Sequence, residues 1–125
     1  MSFNWSEYLN LAKELAGITT TPAIQNAKFR AAISRAYYAA FVTARNYLRD
    51  QKGHSIPITG DAHKYVSEQF KNSSDPQYQL IGNNLKRLRL YRNQADYVDT
   101  FPGLSGITIQ SLKISENIIS QINTF

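Results

Sequence analysis

No cysteine occurs among the 125 residues, which removes disulfides, thiolate catalysis and cysteine-ligated zinc together and fits a reducing, cytosolic setting. Histidine is nearly as sparse. His54 and His63 are the two present, neither has a partner at a metal-ligand spacing such as HExxH, and structural or solvent-facing roles are expected, with no metal and no other cofactor. No apolar run approaches the roughly 18 residues that mark a membrane span. The opening MSFNWSEYLNLAKEL lacks the basic start and unbroken apolar stretch of a secretory signal, so a soluble cytoplasmic protein without a membrane partner is expected. There is no glycine-rich phosphate loop, no GxSxG elbow and no paired-carboxylate signature, so conventional NTPase, hydrolase and glycosidase chemistry lacks support. Repeats, low-complexity tracts, linkers and sustained period-two alternation are also missing. Acidic residues are outnumbered by basic ones, 9 against 14, giving a net charge of +5 and a pI near 9.6. That balance permits a nucleic-acid partner, because phosphate neutralisation by Lys and Arg supplies most non-specific affinity. The length suits one domain over residues 1–125, able to bury roughly two thirds of its unfolded surface.

What is present is helical. In residues 28–49, KFRAAISRAYYAAFVTARNYLR, the apolar Phe29, Ile33, Ala36, Ala40, Ala44 and Leu48 recur at steps of three and four. They form one stripe on a helix roughly 33 Å long. Alanines at 32, 36, 39 and 40 favour helix and allow close approach of neighbouring backbones. Of the consecutive Tyr37 and Tyr38, about 100° apart on the helix, one is expected in the core and the other at a surface or interface. A second line, Arg35, Tyr38, Val42, Arg45 and Arg49, marks a different, cationic face.

Around this helix the chain reads as four further pieces. Asn4 is expected to cap a first helix to about Ala16, with Glu7 reaching back and Phe3 packing on Tyr8; Trp5, Tyr8, Leu9, Ala12, Leu15 and Ala16 form its stripe, and Gly17 suits a left-handed closing residue. Thr21 caps the central helix with Pro22 at its first position, and Gly53 ends it near Lys52 before an exposed turn, HSIPITG. Asp61 caps a short helix buried through Ala62, Tyr65, Val66 and Phe70. Asp75 and Pro76 open a long helix to about Asp99, with Ile81, Leu85, Leu88 and Ala95 inward. A last helix from about Thr108 directs Ile109, Leu112, Ile119 and Ile122 to the core, with Ser, Asn and Gln outside. Four substantial helices and one short one predict an all-α, up-and-down, mainly antiparallel bundle.

The segment LKRLRLYRNQADYVD, residues 85–99, concentrates the chemistry. Arg92 falls in line with the buried stripe, and a guanidinium removed from water needs a carboxylate, a phosphate or several acceptors. Asp96, four residues on, is placed to pair with it. Alternatively Arg92 faces a cleft and binds phosphate bidentately, with Asn93 and Tyr97 adding hydrogen bonds and Lys86, Arg87 and Arg89 extending the positive surface.

The pairing of RAAISRAYYAAFVTARNYL with LYRNQADY resembles the small standalone HEPN proteins of prokaryotes, often found beside minimal nucleotidyltransferases. The resemblance covers most of the chain and implies a helical bundle, usually a symmetric dimer. It also implies membership of a group spanning toxins of toxin–antitoxin pairs, RNA-cleaving domains and non-catalytic nucleotide-binding subunits. Active ribonucleases of that family carry an arginine, a polar residue and, a few positions on, a histidine. Arg92 and Asn93 match the first two, whereas Tyr97, Val98 and Asp99 stand where the histidine is expected. A phenol with an ordinary pKa of about 10 shuttles protons poorly near neutrality, and losing general acid–base help costs roughly 10²- to 10⁴-fold. The resemblance therefore implies a nucleotide- or RNA-binding module, without ribonuclease activity, acting as a homodimer with a minimal nucleotidyltransferase or in a toxin–antitoxin-type system. Its expected ligand-binding residues are Arg92, Asn93, Asp96, Tyr97, Arg35 and Arg45. The alternatives are an active metal-independent endoribonuclease with a degenerate Arg92, Asn93, Tyr97 motif, and a structural dimerisation partner. Adenylylation, known for a tyrosine elsewhere in the family motif, is not carried over to Tyr97.

Overall fold

The computed structural model describes residues 3–17 and 22–125, all-α among those residues, with α1 Glu7–Leu15, α2 Pro22–Gln51, α3 Ala62–Lys71, α4 Pro76–Tyr97 and α5 Leu104–Asn123. Pairings along the helices give their directions. Arg30 near the start of α2 meets the end of α4, and Tyr47 near the end of α2 meets Tyr78 near the start of α4, so these two run antiparallel. Ala36 and Tyr47 of α2 meet Ser115 and Phe125 in the same order, so α5 is parallel to α2. In α1, Tyr8 lies beside Arg35 and Ala12 beside Ala32, which makes it antiparallel to α2. Helices α1, α2, α4 and α5 thus alternate up and down, with α3 inserted before α4; three are long, and α1 at nine residues is as short as α3 at ten, so the expected four substantial helices are three.

The expected stripe of α2 is deeply buried at Ile33, Ala36, Ala40, Ala44 and Leu48, while Phe29 is only partly covered. Tyr37 is buried and Tyr38 half-buried, as consecutive positions on one helix require. Ile81, Leu85, Leu88 and Ala95 of α4 complete the inward face opposite. The α3–α4 crossing is close: a Cβ on Gly82 would stand 2.7 Å from the Ser67 carbonyl oxygen and collide with the Lys71 backbone. Only glycine fits there without moving main chain.

Several terminal details differ from the sequence expectation. Asn4 closes the first turn, its carbonyl accepting from Glu7 N–H at 3.0 Å and its side chain accepting from Ser6 N–H at 3.1 Å. Glu7 does not reach back, because its carboxylate accepts from the Asn10 amide at 3.0 Å. Phe3 does pack edge-on against Tyr8, ring centroids 5.9 Å apart. Gly17 is not left-handed; among the described residues Gly53 (φ 71°) and Gly103 (φ 70°) are. Thr21 lies outside the described residues. Asp61 precedes α3 without a side-chain cap bond, and the turn is held instead by the Thr59 carbonyl, which accepts from Ala62 N–H at 3.1 Å. Asp75 caps α4 as expected, accepting from Gln77 N–H at 2.9 Å, and that helix ends at Tyr97 rather than Asp99.

The last helix starts earlier, at Leu104, and its inward face is rotated. Ile109 is 56% exposed, whereas Ser111 and Ser115 are fully buried with Ile114, Ile118, Ile119 and Ile122. Ser115 Oγ donates to the Ala36 carbonyl at 2.7 Å. A serine can face the alanine surface of α2 because it is small and its hydroxyl finds a backbone acceptor.

Candidate functional site

Two adjacent regions of α4 carry the positive charge, and they differ in what surrounds it. At the C-terminal end, Arg92 Nε lies 2.8 Å from Asp96 Oδ2, with the two side chains 17% and 27% exposed. The N–H is not aimed at the oxygen, so this contact is an ion pair rather than a hydrogen bond. Arg92 Nη1 donates to Asn93 Oδ1 at 3.1 Å. Its guanidinium also lies over the rings of Tyr38 and Tyr97, 5.1 and 5.7 Å from their centroids, a cation–π arrangement. The internal pair expected from the spacing is therefore present, and it joins Arg92, Asn93, Asp96 and Tyr97 in one corner.

That corner is fastened from α2 by a residue to which the sequence spacing drew no attention. Arg30 donates to the carbonyls of Ala95 (2.9 Å), Val98 (2.7 Å) and Asp99 (2.9 Å). The last carbonyls of a helix have no intrahelical donors and carry the negative end of its dipole, so a guanidinium there satisfies both needs. Ser34 Oγ adds a long contact of 3.4 Å to Asp96.

One turn back along α4, Arg89 faces a cavity of about 510 Å³ between α2, α3 and α4. Phe41, Leu85 and Leu90 supply apolar lining, and Tyr37 and His63 an aromatic wall. Lys64, Lys86 and Arg89 bring positive charge, with Glu68 as the one acidic residue of the lining. Arg89 has no hydrogen-bond or ion-pair partner among the described residues, and its buried Nε is left unsatisfied. Asn93 lines the same cavity and so links it to the Arg92 corner.

His63 comes to this cavity from the first turn of α3. Its ring stacks on Phe41 with centroids 4.3 Å apart and planes at 20°, and its Nδ1 meets the Tyr37 hydroxyl. Burial lowers the His63 pKa from its ordinary value, helped by the positive charges of Arg89 and Arg92. Burial also raises the Tyr37 phenol well above its usual range, against a smaller opposing pull from Arg89. The phenol therefore keeps its proton, and its hydroxyl shares one hydrogen bond with His63 Nδ1.

Other expected site residues lie elsewhere. Arg35 stands over the Tyr8 ring at 5.7 Å, on the α1 side of the bundle. Arg45 donates to Asn46 and lines a second cavity of about 470 Å³ with Arg49 and Ile56, which touches the first only through Phe41 and His63. The structure does not bring either arginine to Arg92. His54 bonds Tyr65 Oη at 2.8 Å, a structural contact. His63 and Arg89 carried a signal in the sequence: His63 precedes the buried Ser67 and Phe70 by four and seven residues, and Arg89 follows buried Leu85 by four. Helical spacing places both beside the core. Among the described residues no three His, Cys, Asp or Glu side chains gather to hold a metal ion, and no helix is long and apolar enough to cross a membrane.

Comparison with known families agrees with this architecture. The sequence model of the HEPN domain matches residues 20–124, and no curated protein and no solved structure matches the chain. The chain belongs to the HEPN domain family, a family of nucleotide- and RNA-related helical modules.

Proposed function

We propose that this HEPN chain, one domain over residues 1–125, is a cytoplasmic nucleotide- or RNA-binding module that does not cleave RNA through its Arg92 motif. It acts as a homodimer with a minimal nucleotidyltransferase or in a toxin–antitoxin-type system. The observation that carries the binding reading is the unpartnered Arg89 guanidinium on a helix face shared with Lys86 and Asn93. A cation without a counter-ion among the described residues is available to a phosphate. Arg92, held by Asp96 and Tyr97, shapes the end of the same strip. The absence of motif cleavage is supported by Tyr97, 73% exposed at a position where the family's ribonucleases use histidine. Leu90 and Tyr97, seven residues apart and both exposed, supply an apolar line for self-association.

Filter binding of labelled RNA at two salt concentrations tests the reading. Three or four phosphate contacts at roughly −0.7 each give a log–log salt slope of about −2 to −3. A slope near zero removes RNA as the ligand. The ribonuclease alternative draws its support from His63, a neutral imidazole beside Arg89. Incubating metal-free protein with RNA decides it: cleavage that survives Tyr97→Phe but is lost in His63→Gln would establish that activity.

A further inference from the structure

We infer that the cavity between α2, α3 and α4 is a binding site for a nucleoside 5′-monophosphate, either free or as the 5′ end of an RNA strand. The inference rests on reading α4 as a phosphate-binding strip, and adds to it a place for the base. At about 510 Å³, the cavity falls within the roughly 300–1,000 Å³ typical of small-molecule sites.

Its chemistry is divided as such a ligand requires. Tyr37, Phe41 and His63 line one wall of the cavity and stack on one another at interplanar angles of 19° to 22°, with Tyr37 and Phe41 buried and His63 only partly covered. Leu85 and Leu90 extend its apolar surface. A planar base gains stacking and apolar burial against such a wall whatever its identity. Positive charge is supplied by Arg89, Lys86 and Lys64. Arg89 is the anchor because its guanidinium has no hydrogen-bond or ion-pair partner among the described residues, so a phosphate oxygen on it replaces no contact seen there. His63 Nε2 and the Asn93 amide offer polar groups for the edge of the base or the ribose hydroxyls. Glu68 opposes the anion and keeps the lining from being uniformly cationic, which favours a ligand with polar donors over a bare phosphate.

The test is a titration of the full chain followed by amide and imidazole NMR signals, using AMP, adenosine, inorganic phosphate and a 5′-phosphorylated RNA trinucleotide as separate probes. AMP is expected to bind saturably, shifting the amides around Lys64, Ser67, Arg89 and Asn93 and the His63 ring signals. Adenosine and phosphate should each bind about tenfold or more weakly, since each lacks half of the contacts. Arg89→Gln should weaken AMP binding by about tenfold or more without affecting the fold, because Arg89 has no partner to lose among the described residues. A trinucleotide binding more tightly than AMP assigns the site to strand ends, and equal binding assigns it to the free nucleotide; both support the inference. Phosphate binding as tightly as AMP would overturn it in favour of a simple anion site. If AMP leaves the cavity signals unmoved while RNA still binds with the salt dependence above, the cavity is not a nucleotide site but the α4 reading stands. Loss of both removes both.

Discussion

Arg89 and Arg92 lie three residues apart on α4, in the same helical environment, yet the protein treats them differently. Arg92 has Asp96 at 2.8 Å as its counter-ion, Asn93 at 3.1 Å and two tyrosine rings, although its buried Nε, like that of Arg89, makes no hydrogen bond. Arg89 reaches a cavity beside His63 and Tyr37 with no counter-ion among the described residues and a buried Nε left unsatisfied. The first arrangement holds structure together, because a part-buried charge with its partner nearby resists displacement. The second leaves a charge whose desolvation has not been offset within the chain, the condition under which a bound anion gains most. The family motif points to Arg92, but the surroundings favour Arg89 as the cation free to meet a ligand.

The sharpest way to break the contrast is to force α3 away from α4, since their close crossing makes the cavity. Gly82→Ala sets a methyl against Ser67 and Lys71 backbone atoms and is expected to cost about 3 kcal/mol, read by urea denaturation. A cost near zero would mean that the crossing can open freely. Next comes the anchor of the Arg92 corner: Arg30→Met removes the charged donor to four carbonyls at and just beyond the end of α4 and should cost about 2 kcal/mol. Hydrogen exchange should rise over residues 94–98 before it rises elsewhere.

The two arginines can then be compared directly. Arg92→Met leaves Asp96 without its ion pair and is expected to lower stability by about 1 kcal/mol. Arg89→Met should stay within about 0.5 kcal/mol of the parent while weakening RNA in filter binding more than Arg92→Met does. The reverse order in both measurements would exchange the roles assigned to them.

The smallest effect concerns pH. His63 has a folded pKa below its unfolded value, so the unfolded chain takes up a proton that the native state resists. Its contribution to stability is fully present above about pH 6.5 and is lost as pH falls toward the lowered folded value. Between about pH 7 and pH 5 the parent should therefore lose more stability than His63→Gln, as compared by denaturant titration at both values. Equal losses would mean that His63 titrates as freely in the folded chain as in the unfolded one.

Much of the bundle was legible because helical periodicity and capping are local. The stripes of α2 and α4, the Asp75 cap and the Arg92–Asp96 pair all follow from spacings of a few residues. The misreadings occur where a neighbour decides. Ile109 was expected inside and Ser111 and Ser115 outside, but α5 turns its small residues toward the alanines of α2. Asp61 resembles a cap, yet Thr59 supplies the carbonyl that closes the turn. Arg35 and Arg45 share a helix with Tyr38, and their faces diverge toward Tyr8 and a second cavity.

By itself the sequence determined that this chain is an all-helical bundle, where most helices begin and end, and that Arg92 has a carboxylate within one turn. These are consequences of backbone geometry, which fixes what lies three and four residues away. Only the tertiary structure decided that His63 meets Tyr37 and stands near Arg89, that Arg30 closes the far end of α4, and that Arg89 has no partner among the described residues. Those relations join residues of different helices, and a charge's surroundings are set by whichever side chains the packing brings to it.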